Sequence, residues 1–171
     1  MATAEPLIFI VDDDDEVRAA LGLLMESVGL EVATYESAQA FLDDFDPARP
    51  GCLILDVRMG DMSGLELQTR LTAEPIHPPI VIITGHGDVP MAVRAVRTGA
   101  VDFLEKPFND QALLDAVHRA LSIDARHRGH AMRLAEVKQR LERLTPRERE
   151  ILEAQPGELV VGRQLRAHEL L

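Results

Sequence analysis

Short apolar runs alternate with amphipathic segments five times over the first 120 residues of the chain. A short apolar run bounded by polar residues or glycine is typical of a strand that is buried on both faces. The predicted strands are Leu7–Val11, Glu31–Tyr35, Cys52–Leu55, Ile80–Thr84 and Val101–Leu104. Because a helical pattern follows each strand, we expect a doubly wound parallel sheet of five strands, the α/β class.

The segments between the strands have the apolar spacing and the end signals of helices. The predicted helices are Asp15–Val28, a short helix from its cap Ser37 to Asp44, Gly64–Ala73, Val89–Thr98 and a last one that begins near Asn109. Pro90 lies in the first turn of the fourth helix, where proline is favoured. The wholly apolar run Cys52–Leu55 fits the centre of the sheet.

Polar residues follow the strands at the point where each strand ends. Ligands of open α/β sheets bind beyond the carboxyl ends of the strands, where the strand order reverses. The order 2-1-3-4-5 makes the first and third strands neighbours, about 5 Å apart, and so brings their acidic residues together. A divalent cation would relieve the repulsion between them. The residues gathered at this edge are Asp12, Asp13, Asp56, Thr84 and Lys106.

Charge is unevenly divided along the 171 residues, whose net charge is −11. Residues 1–120 hold 8 Lys and Arg against 21 Asp and Glu, whereas residues 121–171 hold 10 against 8. Nucleic-acid binding draws much of its affinity from Lys and Arg on phosphates, so the acidic body is a poor platform for DNA. Any DNA contact is expected through the tail or through a part beyond this chain.

The single cysteine, Cys52, permits no internal disulfide and has no metal-ligand spacing, so we expect it to be a buried apolar residue. The longest apolar runs fall far short of the roughly 20 residues that span a bilayer. The amino terminus has no basic flank and no signal core. These features predict a cytoplasmic protein with no membrane partner.

Four spaced motifs resemble the receiver domain of two-component response regulators, over roughly residues 6–122. They are Ile10-Val-Asp-Asp-Asp14, Leu55-Asp-Val-Arg-Met59 with Asp61-Met-Ser-Gly64, Ile83-Thr-Gly-His-Gly-Asp88, and Asp102-Phe-Leu-Glu-Lys-Pro-Phe108. This family has the flavodoxin- or CheY-like fold. The run from Thr84 to Ala92 is most similar to the FixJ branch, whose members carry a C-terminal LuxR-type helix-turn-helix.

The resemblance implies a role for each residue of the acidic edge. Asp56 is the nucleophile that accepts a phosphoryl group from a phosphohistidine on a sensor histidine kinase. Asp13 binds Mg²⁺ directly and Asp12 binds it through water, with the Arg58 main-chain carbonyl as a further ligand. Lys106 pairs with a phosphoryl oxygen, and its bond to Pro107 is cis in the family.

Two further residues form a switch in this family. The Thr84 hydroxyl moves to the phosphoryl group, and the Phe103 ring turns inward behind it. The fourth helix, fifth strand and fifth helix form the face that responds, and in the FixJ branch that face forms a homodimer on phosphorylation. The resemblance thus implies a signalling phosphoacceptor that assists its own phosphorylation and dephosphorylation, and not an enzyme.

Several acidic and loop residues have simpler interpretations. Asp14, Asp15 and Glu16 suit the first turn of a helix, where negative charge is favourable. His86 lies between glycines and is expected to be exposed. Gly60 departs from the family, which usually has proline there, so the loop after Asp56 is expected to be looser.

The predicted receiver domain comprises residues 1–122, and the sequence pattern predicts two further segments after it. Residues 123–144 form a helical linker in which Leu134, Val137, Leu141 and Leu144 allow a short coiled coil. Residues 145–171 begin like a LuxR-type domain, with Thr145 as cap and Pro146 in the first turn. No second helix and basic recognition helix follow, so specific DNA binding requires a complete helix-turn-helix beyond this chain.

The sequence leaves four interpretations of the chain open. The chain is either a truncated transcription regulator or a natural regulator whose tail, Leu159–Val161 and Leu165–Leu171, has diverged. A receiver could also act by protein contact alone, without DNA. A haloacid-dehalogenase-like phosphohydrolase would use Asp12 and Asp14 as its aspartate pair, but it needs a later acidic pair that this sequence lacks.

Overall fold

A five-stranded parallel sheet forms the centre of the fold. The computed structural model describes residues 4–85 and 87–154. Its strands are β1 (Leu7–Val11), β2 (Glu31–Tyr35), β3 (Gly51–Asp56), β4 (Ile80–Thr84) and β5 (Asp102–Glu105). They lie in the order β2-β1-β3-β4-β5. The predicted fold class and strand order are therefore confirmed.

Helices connect the strands and continue beyond the sheet. They are α1 (Asp15–Ser27), α2 (Ala38–Asp44), α3 (Gly64–Thr72), α4 (Val89–Arg97), α5 (Asp110–Glu142) and α6 (Pro146–Glu153). Polar side chains start most of them, because a side-chain oxygen at the N-cap accepts a backbone N–H of the first turn. The residues that do so are Asp14, Ser37, Ser63, Asp88 and Thr145.

The ends of several elements differ from the predicted ones. β3 is one residue longer at each end, so Asp56 is its last residue instead of the first residue after it. β5 begins one residue later than predicted, because the ladder with β4 pairs Val81 with Asp102 and Thr84 with Glu105. Three helices end one residue earlier than predicted, at the residue before the C-cap.

Each face of the sheet is covered by helices that bury apolar side chains. On one face, α2, α3 and α4 pack against β-strand residues around Leu53, Leu55 and Ile82. On the other face, α1 and α5 cover Ile8, Ile54 and their neighbours. Cys52 is fully buried in this second cluster, as predicted from its apolar surroundings in sequence.

Helix α5 remains in contact with the body of the fold farther than its apolar residues predicted. Asp124, which begins a polar stretch in the sequence, is buried, and its Oδ2 accepts the Gly51 N–H at 2.9 Å and Nε of Arg128 at 2.9 Å. Arg128 also donates to the carbonyls of Pro47, Ala48 and Arg49. This Asp124–Arg128 clamp joins α5 to the loop before β3.

The chain divides into two compact units, one through Arg128 and one from Gly129 onward. The second contains the end of α5 and the short α6. Leu134, Val137 and Leu141 are exposed there, and the predicted cap Thr145 shares a reciprocal capping box with Glu148. No helix in the described part of the chain has the length and apolarity of a membrane span. The tail segments Leu159–Val161 and Leu165–Leu171 lie outside the described residues.

Candidate functional site

The register of the sheet brings the acidic residues of two strands side by side. Val11 pairs with Leu55, so Asp12, the next residue after β1, lies beside Asp56 at the end of β3. Both carboxylates are buried, whereas Asp13 is exposed. Carboxylate oxygens of Asp12, Asp13 and Asp56 lie within 4.8 Å of one another. The predicted acidic cluster is therefore present at the carboxyl edge of the sheet.

Lys106 supplies the positive charge of this cluster. Its Nζ donates to Asp12 Oδ2 at 2.9 Å and lies 3.5 Å from Asp56 Oδ1. Two buried carboxylates beside one ammonium are less repulsive than two alone. The bond between Lys106 and Pro107 is cis, as the sequence resemblance predicted. With Asp13 included, three carboxylates still face one ammonium, so a cation of higher charge would be attracted.

The ionisation of the buried groups reflects this arrangement. Burial, followed by the charge of Asp12, raises the pKa of Asp56 from 3.8 to about 6, and the charge and hydrogen bond of Lys106 oppose that rise. Burial acts to lower the pKa of Lys106, but the hydrogen bond to Asp12 and the charge of Asp56 outweigh it and raise that pKa. With its pKa raised to about 6, Asp56 is largely ionised near neutral pH.

Backbone contacts orient Asp12 in a way that the sequence did not reveal. Its Oδ1 accepts the Asp14 N–H at 2.9 Å, and its own carbonyl accepts Nη1 of Arg18 at 2.7 Å. Arg18 was absent from the predicted site, because the sequence does not show which group an arginine on an amphipathic helix will contact. The Asp14 side chain accepts the N–H groups of Glu16 and Val17, which confirms its predicted place at the start of α1.

Gly64 is the second residue of the site that sequence reasoning left without a role. It follows the N-cap of α3, and its N–H donates to the Val57 carbonyl at 2.9 Å. A Cβ at this position would lie 2.1 Å from the carbonyl oxygen of Asp56. No real Cβ tolerates such a contact, so only glycine lets α3 begin this close to the end of β3. The Asp61-Met-Ser-Gly64 motif was the available signal.

Thr84 and Phe103 lie on the side of the cluster formed by β4 and β5. Thr84 is fully buried at the end of β4, and its carbonyl accepts the Lys106 N–H at 2.8 Å. The Phe103 ring packs against the core and lies beside Gly87, where an added Cβ would be 2.9 Å from Phe103 Cε1 and 3.2 Å from Thr84 Cγ2. The side chains of Thr84 and Phe103 therefore both lie next to Gly87.

An open cleft lies on the Asp13 side of the acidic cluster. Its volume is about 530 Å³, and it is lined by the residues after β1, β2 and β3. Asp13, Ser37 and Asp61 are among its polar lining residues. Arg58 is exposed in the loop after β3, and the role of its carbonyl stays a prediction. His86 lies outside the described residues, so its predicted exposure also stays a prediction.

The chemistry of this arrangement follows from its donor set. Three carboxylates near an open cleft suit a hard divalent cation, and Mg²⁺ in particular takes one or two carboxylates together with waters and substrate oxygens. Asp56 is a buried carboxylate with an ammonium within 3.5 Å, and it is therefore the candidate oxygen nucleophile. Such a group can attack an electrophile whose developing negative charge the cations compensate.

Comparison with known proteins points to one family. Residues 8–118 match the family described as response regulator receiver domain. The chain is 45% identical over 152 residues to the response regulator protein TodT of Pseudomonas putida, covering 89% of this chain and 67% of that protein. It is 47% identical over 146 residues to the transcriptional regulatory protein FixJ of Azorhizobium caulinodans, covering 85% of this chain and 69% of that protein. The solved structure of response regulator StyR matches with a TM-score of 0.82 at 47% identity, covering 88% of this chain and 76% of that one.

Proposed function

This chain belongs to the response regulator receiver domain family of two-component systems, and we propose that it accepts a phosphoryl group on Asp56 from a sensor histidine kinase. The observation that carries the proposal is the position of Asp56: a buried carboxylate at the end of β3, beside Asp12 and 3.5 Å from the Lys106 ammonium. The FixJ branch indicated by the sequence motifs agrees with the similarity to FixJ.

The transfer is a displacement at phosphorus. A carboxylate oxygen of Asp56 attacks the phosphorus of the phosphohistidine, the P–N bond breaks, and its electron pair returns to the imidazole of the kinase. Lys106 stays protonated because its pKa is raised, so it can pair with a phosphoryl oxygen. Its hydrogen bond to Asp12 holds it at the edge where the phosphoryl group arrives.

The acidic cluster fits a magnesium ion. Asp13 and Asp56 would hold the ion directly, Asp12 through water, and the Arg58 carbonyl would complete the protein ligands. When bound, Mg²⁺ neutralises phosphoryl oxygens and so lowers the barrier to attack by an anion. The protein contribution is the fixed spacing of the carboxylates at the ends of two neighbouring strands.

A change at Thr84 and Phe103 would carry the signal to the surface. The Thr84 hydroxyl moves towards the phosphoryl group, and the Phe103 ring, which packs beside Gly87, turns inward behind it. The responding face comprises α4, β5 and the start of α5. Val89, Val93 and Val96 are exposed on α4, so apolar surface is available there for a homodimer.

The proposed output is control of transcription through dimerisation, with DNA contacts made only by a complete helix-turn-helix outside this chain. The name of FixJ, a transcriptional regulatory protein, supports this output. A receiver that acts by protein contact alone is the second candidate, favoured by the acidic body of residues 1–120. A phosphohydrolase that uses Asp14 is disfavoured, because that side chain caps α1.

Intact mass measured after incubation with acetyl phosphate and magnesium tests the proposed acceptor. The wild type should gain one phosphoryl group, and Asp56→Asn and a sample without metal should gain none. Light scattering with and without beryllofluoride then tests dimerisation. An unchanged mass in the presence of beryllofluoride would refute dimerisation, whereas phosphorylation of Asp56→Asn would refute the acceptor.

A further inference from the structure

Helix α4 is held in the fold by few contacts. Of its nine residues only Ala95 is buried, and Met91 is partly buried against the core. Val89 is 76% exposed and Val96 56% exposed. A helix with so little buried surface is positioned by a small number of specific contacts, since burial of an apolar face supplies most of the stability of a surface helix.

One of these contacts is a hydrogen bond from a neighbouring helix. Gln68 of α3 is buried, and its Nε2 donates to the Ala95 carbonyl at 2.8 Å. The same carbonyl accepts the Ala100 N–H at 3.0 Å. Ala95 lies in the last turn of α4, where carbonyls have no partner within the helix. Gln68 therefore caps the C-terminal end of α4 from a separate element.

The amide oxygen of Gln68 indicates that packing alone does not explain why a glutamine occupies this position. Its Oε1 is buried and, among the described residues, has no hydrogen-bond partner. A buried acceptor without a donor is unfavourable, and an apolar side chain of the same length would avoid that penalty. The favourable part of this side chain is its single bond to Ala95.

The N-terminal end of α4 is attached differently. Its N-cap, Asp88, accepts the Met91 N–H at 2.7 Å, a contact within the helix itself. Residues 85–87 connect that end to Thr84, the proposed switch residue. The two ends of α4 thus differ: one is bonded to α3, and the other follows directly from the end of β4.

We propose that Gln68 is a positioning residue that fixes the C-terminal end of α4 to α3, so that displacement of α4 occurs at its N-terminal end. The displacement by phosphorylation rests on the proposed function; the attachment does not. When Thr84 moves, α4 turns about the Gln68–Ala95 bond, and the exposed Val89 moves farther than Val96. Gln68 thereby sets which part of the α4 surface changes.

Amide hydrogen exchange of the metal-free protein tests the attachment. Gln68→Met keeps the length of the side chain and removes the amide. Exchange of the Ala100 and Thr98 amides should rise roughly five- to tenfold, the effect of losing one hydrogen bond, while the amides of β3 and β4 stay unchanged. Gln68→Leu, which packs differently, should give the same pattern if Gln68→Met folds poorly.

The matched control is Gln111→Met, because Gln111 is exposed on α5 and donates one amide bond to Asp115. It should leave α4 exchange unaltered. An equal rise in α4 and in the sheet would mean that Gln68 contributes only to global stability and would overturn the proposal. No change at Ala100 would overturn it as well.

Adding beryllofluoride and magnesium tests the turning of α4. In the wild type, exchange should change at Met91 and Ala92 and stay constant at Ala100; in Gln68→Met, the change should extend to Ala100. Equal changes at both ends of α4 in the wild type would contradict the proposal. A wild type that ignores beryllofluoride would instead contradict the proposed phosphoacceptor, and the metal-free result would still decide the attachment.

Discussion

Lys106 donates a hydrogen bond to Asp12, with 2.9 Å between Nζ and Oδ2, and this bond joins the loop after β5 to the end of β1. The same ammonium is 3.5 Å from Asp56. Asp56, the proposed phosphoacceptor, therefore shares its counterion with the neighbouring Asp12. Removing that ammonium leaves two buried carboxylates facing each other, which is the reason for the first prediction.

Lys106→Met should raise the pKa of Asp56 above its value of about 6. The aliphatic stem is kept, so the lost charge is the main change, and a rise of roughly one unit or more is expected. A pH titration of the Asp56 carboxyl carbon by nuclear magnetic resonance, without metal, measures it. Lys138→Met, on the exposed part of α5, is the control. An unaltered Asp56 titration would show that the ammonium is screened.

Asp56→Asn should stabilise the metal-free protein at neutral pH. Because burial raises the Asp56 pKa from 3.8 to about 6, the folded carboxyl binds its proton more tightly than the unfolded one. The resulting stability is fully present below pH 3.8 and is lost as the pH rises through about 6. The variant avoids that loss, and we expect a gain of roughly 1–2 kcal/mol above that range, allowing for solvent screening.

Urea unfolding of both proteins across this pH range checks the sign. The difference in unfolding free energy between the two proteins should shrink to nearly zero as the pH falls to 3.8, the pKa of the unfolded carboxyl. Asp61→Asn, at an exposed carboxylate beside the same cleft, is the control variant. A gain that is constant with pH would contradict the assignment to Asp56 ionisation.

Gly64→Ala should destabilise the protein, whereas Gly60→Ala should not. The added Cβ at Gly64 would meet the Asp56 carbonyl oxygen at 2.1 Å, so backbone must move, and a loss of roughly 2–4 kcal/mol is expected. At Gly60 the Cβ meets no atom within 4 Å. Thermal unfolding of the two variants compares them directly. Similar midpoints would mean that α3 can shift away from β3 without loss.

Gly87→Ala should displace the Phe103 ring without unfolding the chain. Its Cβ would meet the ring, which can rotate, instead of backbone. Beryllofluoride affinity should change by roughly three- to tenfold, because the added Cβ disfavours the ring position beside Gly87 and so alters the balance between the two ring positions. The control is Gly85→Ala, whose Cβ would meet nothing within 4 Å. If both variants bind beryllofluoride like the wild type, the ring position has no part in the switch.

Arg128→Met should destabilise the receiver unit, although residue 128 lies beyond the domain end predicted at residue 122. The variant leaves the buried Asp124 carboxylate without its ion pair and three loop carbonyls without a donor. We expect a loss of roughly 2–4 kcal/mol in urea unfolding, against less than about 0.5 kcal/mol for the exposed Arg126→Met. Equal stabilities of the two variants would favour the boundary at 122.

Periodicity and strand-end chemistry were enough to predict the fold and to bring the acidic residues together. β1, β2 and β4 have the bounds that the sequence pattern predicted. The position of Asp56 beside Asp12 followed from strand order alone, because parallel strands end at one edge of the sheet. β5 was displaced by one residue because its ladder with β4, not its apolarity, sets its bounds.

Contacts between distant polar residues could not be predicted from the sequence. The bond from Gly51 to Asp124 spans 73 residues, and that from Gln68 to Ala95 spans 27. In the sequence, a single polar position on a helix is compatible with an exposed side chain and with a buried one. The two cannot be distinguished until the hydrogen-bond partner is known. For the same reason Arg18 was absent from the predicted site.

Cys52 makes the opening of the central strand directly measurable. It is the only cysteine of the chain and is fully buried in β3, the strand that ends at Asp56. Burial raises the pKa of its thiol, so no thiol reagent reacts with it in the closed protein. The rate at which Cys52 is labelled therefore measures how often this strand separates from its neighbours. A bound phosphoryl mimic that stabilises the edge of the sheet will lower that rate.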